Sequence, residues 1–540
     1  METFDAVVVG SGPNGLVAAN HLVDAGWSVL VLEAQPSWGG AVRSDSDVHP
    51  DFVHDTFSAF YPLAAASPTV QALGLEEHGL VWRRAPAVLG HVFGDGGWAL
   101  LHHDRFRTAD GLRDPADREA WLRLCDLWDR IGPHLVGALL SPFPPVRHGT
   151  PLALRVARAG GLQLVRSLLS PAADLGESRF RDREARALLL GNAGHADIPM
   201  QAPGSGLFGV VMSMLAQSVG FPVPEGGAQR LSDALVTRLR ARGGEVRCGQ
   251  EVVQVVVDGG RASAVLTADG SRLAARRAVL ADVVATRLYG GLVAPDDLPA
   301  RVVRGMRDFR LDPGTVKVDF ALSGPVPWAV TPDPMPGTVH VSPSPDALTR
   351  SLGQVASGEV PAEPFLLMGQ MTTTDPTRSP AGTESCWIYS HVPQRVVDDA
   401  GDVGGTIRGV WDADDRERFA DRMQDQVERV APGFGERVLT RRVLGPRELE
   451  ARDANLVGGA VNGGTSQLHQ QLVFRPFPGW GRAETGVRGL YLASASAHPG
   501  GGVHGAPGAN AARAALAHDR LRLDQWRLDQ WRPGRRSAGG

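Results

Sequence analysis

The residue pattern best suited to binding chemistry lies at the start of the chain. Gly10-Ser11-Gly12-Pro13-Asn14-Gly15 follows a β-branched run over residues 4–9 and precedes a helical run over 16–25 that Gly26 stops. A second strand pattern over 28–32 ends at Glu33. Strand, glycine turn, helix, strand and acid, in that order, are the parts of a dinucleotide site. Gly10 makes the tight turn, Gly12 lets backbone N–H groups approach a pyrophosphate, and Gly15 lets helix and strand pack closely. The helix N-terminus adds its partial positive charge at the phosphates. Glu33 is placed to accept hydrogen bonds from a ribose. Pro13, Asn14 and Ala34, which adjoin these positions, join them as expected cofactor contacts.

That fingerprint fits FAD or NAD equally. The next segment, Glu33-Ala-Gln-Pro-Ser-Trp-Gly39-Gly40-Ala-Val-Arg43, adds a glycine doublet and an arginine able to neutralise a pyrophosphate. At the other end of the chain, residues 489–493 read as a short buried strand. They lead into His498-Pro-Gly-Gly501-Gly502-Val503-His504-Gly505 and a helical run over 509–521. An isoalloxazine ring carries negative charge on its N1–C2=O edge when reduced, and a helix N-terminus with uncovered N–H groups stabilises it. Gly501, Gly502 and Val503 are therefore expected against such a ring; an ordinary glycine-rich loop is the plainer reading.

Groups able to move protons are few. Lys317 is the single lysine, every other one of the 55 Lys and Arg residues being Arg. It lies in a strand pattern over 315–322, where Val316, Val318, Phe320 and Leu322 share one face and Lys317 and Asp319 the other. The pair reads either as a catalytic ammonium or as a Lys–Asp ion pair. Tyr389 and His391 alternate on another strand and point to one face, toward a substrate cavity. His504 sits where it could face the ring. No metal-ligand spacing and no Ser/His/Asp arrangement is persuasive, so hydrolase and metalloenzyme readings fall away. Cys125, Cys248 and Cys386 are too far apart in sequence for a CxxC pair, so a redox role needs a cofactor.

Together with 52–62 (Phe-Val-His-Asp-Thr-Phe-Ser-Ala-Phe-Tyr-Pro), Gly226-Gly227, 375–382 (Asp-Pro-Thr-Arg-Ser-Pro-Ala-Gly) and 387–393 (Trp-Ile-Tyr-Ser-His-Val-Pro), these blocks resemble the phytoene desaturase-like FAD oxidoreductases. That family is a branch of the amine-oxidase-type flavoproteins. The resemblance runs from the N-terminus to about residue 515. It implies FAD as the only nucleotide, in keeping with the lack of a second strand–glycine turn–helix pattern. It also implies a lysine near flavin N5, which Lys317 would supply, and places the Val252 backbone against the adenine. The expected fold is α/β: a discontinuous Rossmann-type FAD-binding domain (1–70, 225–290 and 480–520) with an inserted α+β substrate domain (71–224 and 291–479). The expected reaction moves hydride from a hydrophobic small molecule to the flavin, with oxygen or a quinone as acceptor. A flavin-dependent isomerase or saturase, or an FAD-binding protein without turnover, are the alternatives.

The elements that must position these residues are those of an ordinary globular protein. The 540 residues are 43 % hydrophobic and 21 % charged with a net charge of −4, which speaks against nucleic acid as a partner. No apolar run is long enough to span a membrane and no export signal precedes residue 4, so a cytoplasmic location is expected. Residues 152–169 read as a helical hairpin broken at Gly160-Gly161, with Arg155, Arg158 and Arg166 on one arc. Such a stretch suits peripheral contact with a membrane surface or a solvated lid. The tandem repeat Leu-Asp-Gln-Trp-Arg at 523–532 has a five-residue period, and 521–540 is expected to be a disordered tail. No pattern sets an oligomeric state.

Overall fold

The computed structural model describes residues 2–401 and 406–530. Two seven-stranded sheets organise it. The first draws strands from three distant parts of the sequence: Thr3–Val9 and Val29–Leu32, then Glu245–Arg247 through Arg272–Ala281, then Leu490–Leu492. Thr3–Val9 pairs in parallel with Val29–Leu32 on one side and with Arg272–Ala281 on the other. Their central stretches, residues 6–9, Val29–Leu32 and residues 278–281, are apolar throughout because both sheet faces are covered there. Helices Pro13–Asp24, Gln229–Ala241 and Ala506–Gln530 bury Leu16, Leu235 and Ala512 against one face. Leu288, Val302 and Phe477 cover the other.

The second sheet is mostly antiparallel and runs in the order Val438–Leu444, Gly314–Leu322, Glu384–Val392, Leu366–Gln370, Pro336–Val341, Ala87–Val92, Trp98–Leu101. The expected alternation holds. Val316, Val318 and Phe320 pack with Phe419 and Met423 of the helix Ala413–Val430. The opposite face supports a helical layer that includes Pro115–Leu139, Arg183–Ala193 and Ser205–Ser218.

The hairpin is present as helices Val146–Arg158 and Gly161–Leu169, with Gly160 and Gly161 both at positive φ in the break. The C-terminal expectation needs correction. The last helix does not stop near residue 521 but continues to Gln530, through most of the tandem repeat. A five-residue period builds no apolar stripe, yet Leu, Arg and Gln are strong helix formers and no glycine or proline intervenes before Pro533. The rest of the expected tail, 531–540, lies outside the described residues.

Candidate active site

The N-terminal turn is as tight as its glycines suggest. A Cβ on Gly10 (φ +93°) would lie 2.6 Å from the Asp282 carbonyl oxygen, and one on Gly12 2.6 Å from Asp282 Oδ2. The doublet folds back over this turn, so that a Cβ on Gly40 would lie 2.9 Å from Gly12 Cα. Beside it opens a cavity of about 450 Å³ whose lining includes Gly10, Gly12, Glu33, Ala34, Gly40, Arg43 and Val252. Glu33 is fixed in place: its Oε2 accepts from Ser11 N (2.9 Å) and Ser11 Oγ (2.7 Å), and its Oε1 from Gln35 N. Arg43 donates to the carbonyls of Gly40 and Arg452. Gly15 and Gly39 pack behind the wall, Gly15 so closely that a Cβ added to it would strike Gly10 O.

A narrower cavity of about 100 Å³ adjoins the first and shares Gly12, Gly40, Asp282, Asp453 and Asn455 with it. Here the two ends of the chain meet, because Pro13 and Asn14 line it together with Gly501, Gly502 and Val503. Gly502 (φ +122°) and Val503 (φ +53°) both take left-handed backbone conformations, which turn the loop's main chain toward the cavity. The Asn14 side-chain oxygen is buried there without a hydrogen-bond partner among the described residues, an acceptor that a ligand could satisfy. This elongated space, with a glycine turn at one end and a glycine loop at the other, fits FAD.

Past Gly501 and Gly502 lies a third cavity of about 250 Å³. Phe60, Phe208, Phe221, Leu367, Trp387 and Tyr389 dominate its wall, and among the described residues no Asp, Glu, Lys or Arg lines it. The Trp387 and Tyr389 rings stack with centroids 5.8 Å apart. His195 also lines it, with Nε2 2.9 Å from Nε2 of the buried His340. Burial pushes the His195 imidazole down to about 3 and that of His340 lower than usual, so both are neutral.

Of the four residues singled out for catalysis, Tyr389 lines this cavity. His391, two residues along the same strand, lines a different one of about 380 Å³ with Asp197 and Arg310. Lys317 is not among the lining residues of the apolar cavity. Its ammonium donates to the Asp55 carbonyl (2.8 Å) and pairs with Asp319, 5.9 Å from the Trp387 ring centre, one side chain behind the wall. Asp319 also takes Arg442 (2.7 Å). Burial alone would raise its carboxyl, but the two cations hold it below the usual range. His504 uses both ring nitrogens within its loop, toward Gly501 O (3.1 Å) and Ala506 N (3.2 Å). Lys317 and His504 thus both hold fixed hydrogen-bond partners, and neither is among the residues lining the apolar cavity. His195 and Asp282 were not anticipated. His195 sits after the helix Arg183–Ala193 with no motif around it, whereas Asp282 follows the carboxyl end of a parallel strand, where open α/β sheets bind ligands.

Residues 14–286, just over half of the chain, match the sequence profile of the flavin containing amine oxidoreductases. The chain belongs to that family. Among relatives of this flavin amine oxidoreductase, pyridine nucleotide-disulfide oxidoreductase domain-containing protein 2 of Mus musculus is 28 % identical, the match covering 94 % of this chain and 92 % of the relative. Hydroxyneurosporene desaturase of Cereibacter sphaeroides is also 28 % identical, over 95 % and 97 %. Putrescine oxidase solved with putrescine shares the fold, with a TM-score of 0.60 at 18 % identity over 96 % of this chain and 99 % of that one. The flavin is FAD, the fold is a Rossmann-type FAD-binding α/β unit with a substrate unit, and the protein is an oxidoreductase. Among the described residues no helix is long and apolar enough to cross a membrane.

Proposed function

We propose that this flavoprotein dehydrogenates a neutral, hydrophobic small molecule, leaving a C=C or C=N bond, with oxygen or a quinone as final acceptor. The observation that carries the reading is the aromatic cavity beside Gly501 and Gly502 with no charged side chain on its wall. An ammonium entering it would lose hydration and gain no counter-ion, whereas apolar surface is favoured there. A cavity of about 250 Å³ is just below the usual range for ligand sites, so it takes a small molecule or one end of a longer one.

Bound FAD supplies a two-electron acceptor; the chain's own residues do the rest. Phe60, Phe208 and Phe221 exclude water, and the stacked Trp387–Tyr389 pair offers a flat surface for an unsaturated segment. Forming a C=C bond removes two hydrogens from the substrate, one as hydride, for which bound FAD is the acceptor, and the other as a proton that must leave to a group on the wall. His195 is the basic group on the wall and accepts that proton, with His340 holding its ring. A weak base suffices, because a C–H next to an electron-deficient carbon is strongly acidic. Lys317, by contrast, acts as a positioning residue through Asp319 and Trp387.

On this reading, segments 1–70, 225–290 and 480–520 bind FAD, and 71–224 and 291–479 bind substrate. The hairpin is the entry. Val146, Leu154, Leu162 and Val165 are exposed on it, Leu162 by 86 %, alongside Arg155, Arg158 and Arg166. Its end is tied to the helix bearing Phe208 by the Gly204 N–H to Leu169 O bond. Apolar side chains flanked by arginines match an anionic lipid surface, from which a hydrophobic substrate would enter. The test is anaerobic addition of a lipid extract from the host to the purified holoenzyme. Bleaching of the flavin absorbance is expected. A spectrum unchanged by the lipid fraction but bleached by the water-soluble amine fraction would refute the reading.

A further inference from the structure

The diphosphate end of the FAD site is crowded with carboxyl groups. Asp282, only 5 % exposed, lines both the nucleotide cavity and the narrow cavity joined to it. Its Oδ2 accepts the Gly15 N–H at 2.8 Å, under the turn that the glycines hold open. Asp453 lines the same two cavities, and Glu33 and Glu251 line the larger one. The cations facing them are Arg43 and Arg287, and Arg43 already gives donors to two carbonyls.

FAD brings a diphosphate into this enclosure. An ionised Asp282 beside it would be repelled with little water to screen the charges. A neutral carboxyl in the same place can donate to a phosphate oxygen while its other oxygen keeps the Gly15 bond. We propose that Asp282 is a cofactor-site residue that holds a proton while FAD is bound, so that the site takes up FAD and a proton together. Burial, opposed by the Gly15 N–H and reinforced by Asp453 and Glu33, already pushes this carboxyl up to about 8. The diphosphate raises it further. Below about pH 8 the proton is in place and affinity does not change with pH. Above it, each FAD bound must draw a proton from solvent, and affinity falls by up to about tenfold per pH unit.

The experiment follows FAD release from the holoenzyme at equilibrium, by the fluorescence of free flavin, from about pH 6.5 to 9.5. The wild type is expected to show a constant Kd up to about pH 7.5 and a roughly tenfold rise over the last unit. Asp282→Asn, whose amide can make both bonds without titrating, is expected to hold FAD with no such rise. Asp453→Asn is expected to keep the slope with its onset moved to lower pH, because one charge that raises Asp282 is gone. A flat wild-type profile, or an unchanged slope in Asp282→Asn, would overturn the proposal. Should that variant not fold, calorimetry of FAD binding to stripped wild-type protein decides. At about pH 8.5, in buffers of different ionisation enthalpy, uptake of about 0.5–1 proton per FAD is expected. No uptake would count against it.

Discussion

At Gly12 the nearest obstacle to a side chain is Asp282 Oδ2, 2.6 Å from an added Cβ. Gly12→Val should therefore purify with its flavin largely lost; full FAD occupancy in the purified variant would contradict the assigned turn. Lys317→Met tests the buried ion network. It leaves Asp319 facing Arg442 alone, and a loss of about 3 kcal/mol in denaturant unfolding is expected with FAD retained. Unchanged stability would mean that the pair holds nothing together. The pH dependence has a definite sign. The folded-state carboxyl of Asp319 is held below its usual range, so its contribution is present above the unfolded value and is lost as acid takes the pH through the depressed one. Asp282, raised, works the other way: its protonated form suits the folded state, and stability falls as pH rises from the ordinary carboxylate range toward about 8. The residues that line the nucleotide cavity from the N-terminal side were legible because their spacing is local: Gly10 to Glu33 form one strand–turn–helix–strand unit. His195 and Asp282 were not, because each acquires its role only when segments distant in sequence meet.

Among elements, the helices Val146–Arg158 and Gly161–Leu169 differ from the rest in what they leave uncovered. The first of them has no buried residue. Replacing Leu162 and Val165 with Asp should abolish co-sedimentation with vesicles containing anionic lipid while leaving the visible flavin spectrum unchanged. Equal co-sedimentation of variant and wild type would exclude this hairpin as the docking element. The break at Gly160-Gly161 could be read from sequence because two adjacent glycines punctuate a helical pattern. The strand Gly314–Leu322 could be read from its period of two. The final helix was misjudged at its end for the opposite reason: propensity carries it where no apolar periodicity does. The pairing of Leu490–Leu492 with Arg272–Ala281 is a non-local parallel contact; the short apolar run at 489–493 marked a strand and gave no partner.

Across the whole molecule, three cavities run end to end from the acid of the second strand to the aromatic wall of the second sheet. The first is lined by N-terminal and mid-chain residues together with Asp453 and Asn455, the second joins Pro13 and Asn14 to Gly501, Gly502 and Val503, and the third brings segment 57–63 and the inserted segments to Gly501 and Gly502. On the proposed reading FAD would lie between the glycine turn and the aromatic chamber, and the chamber's uncharged lining is what favours a neutral substrate. The central claim is tested by presenting the holoenzyme anaerobically with a neutral polyene in detergent and, separately, with the diamine putrescine, and recording flavin absorbance after each. The account predicts bleaching by the neutral polyene and none by the diamine. Bleaching by putrescine with no response to the polyene would contradict it.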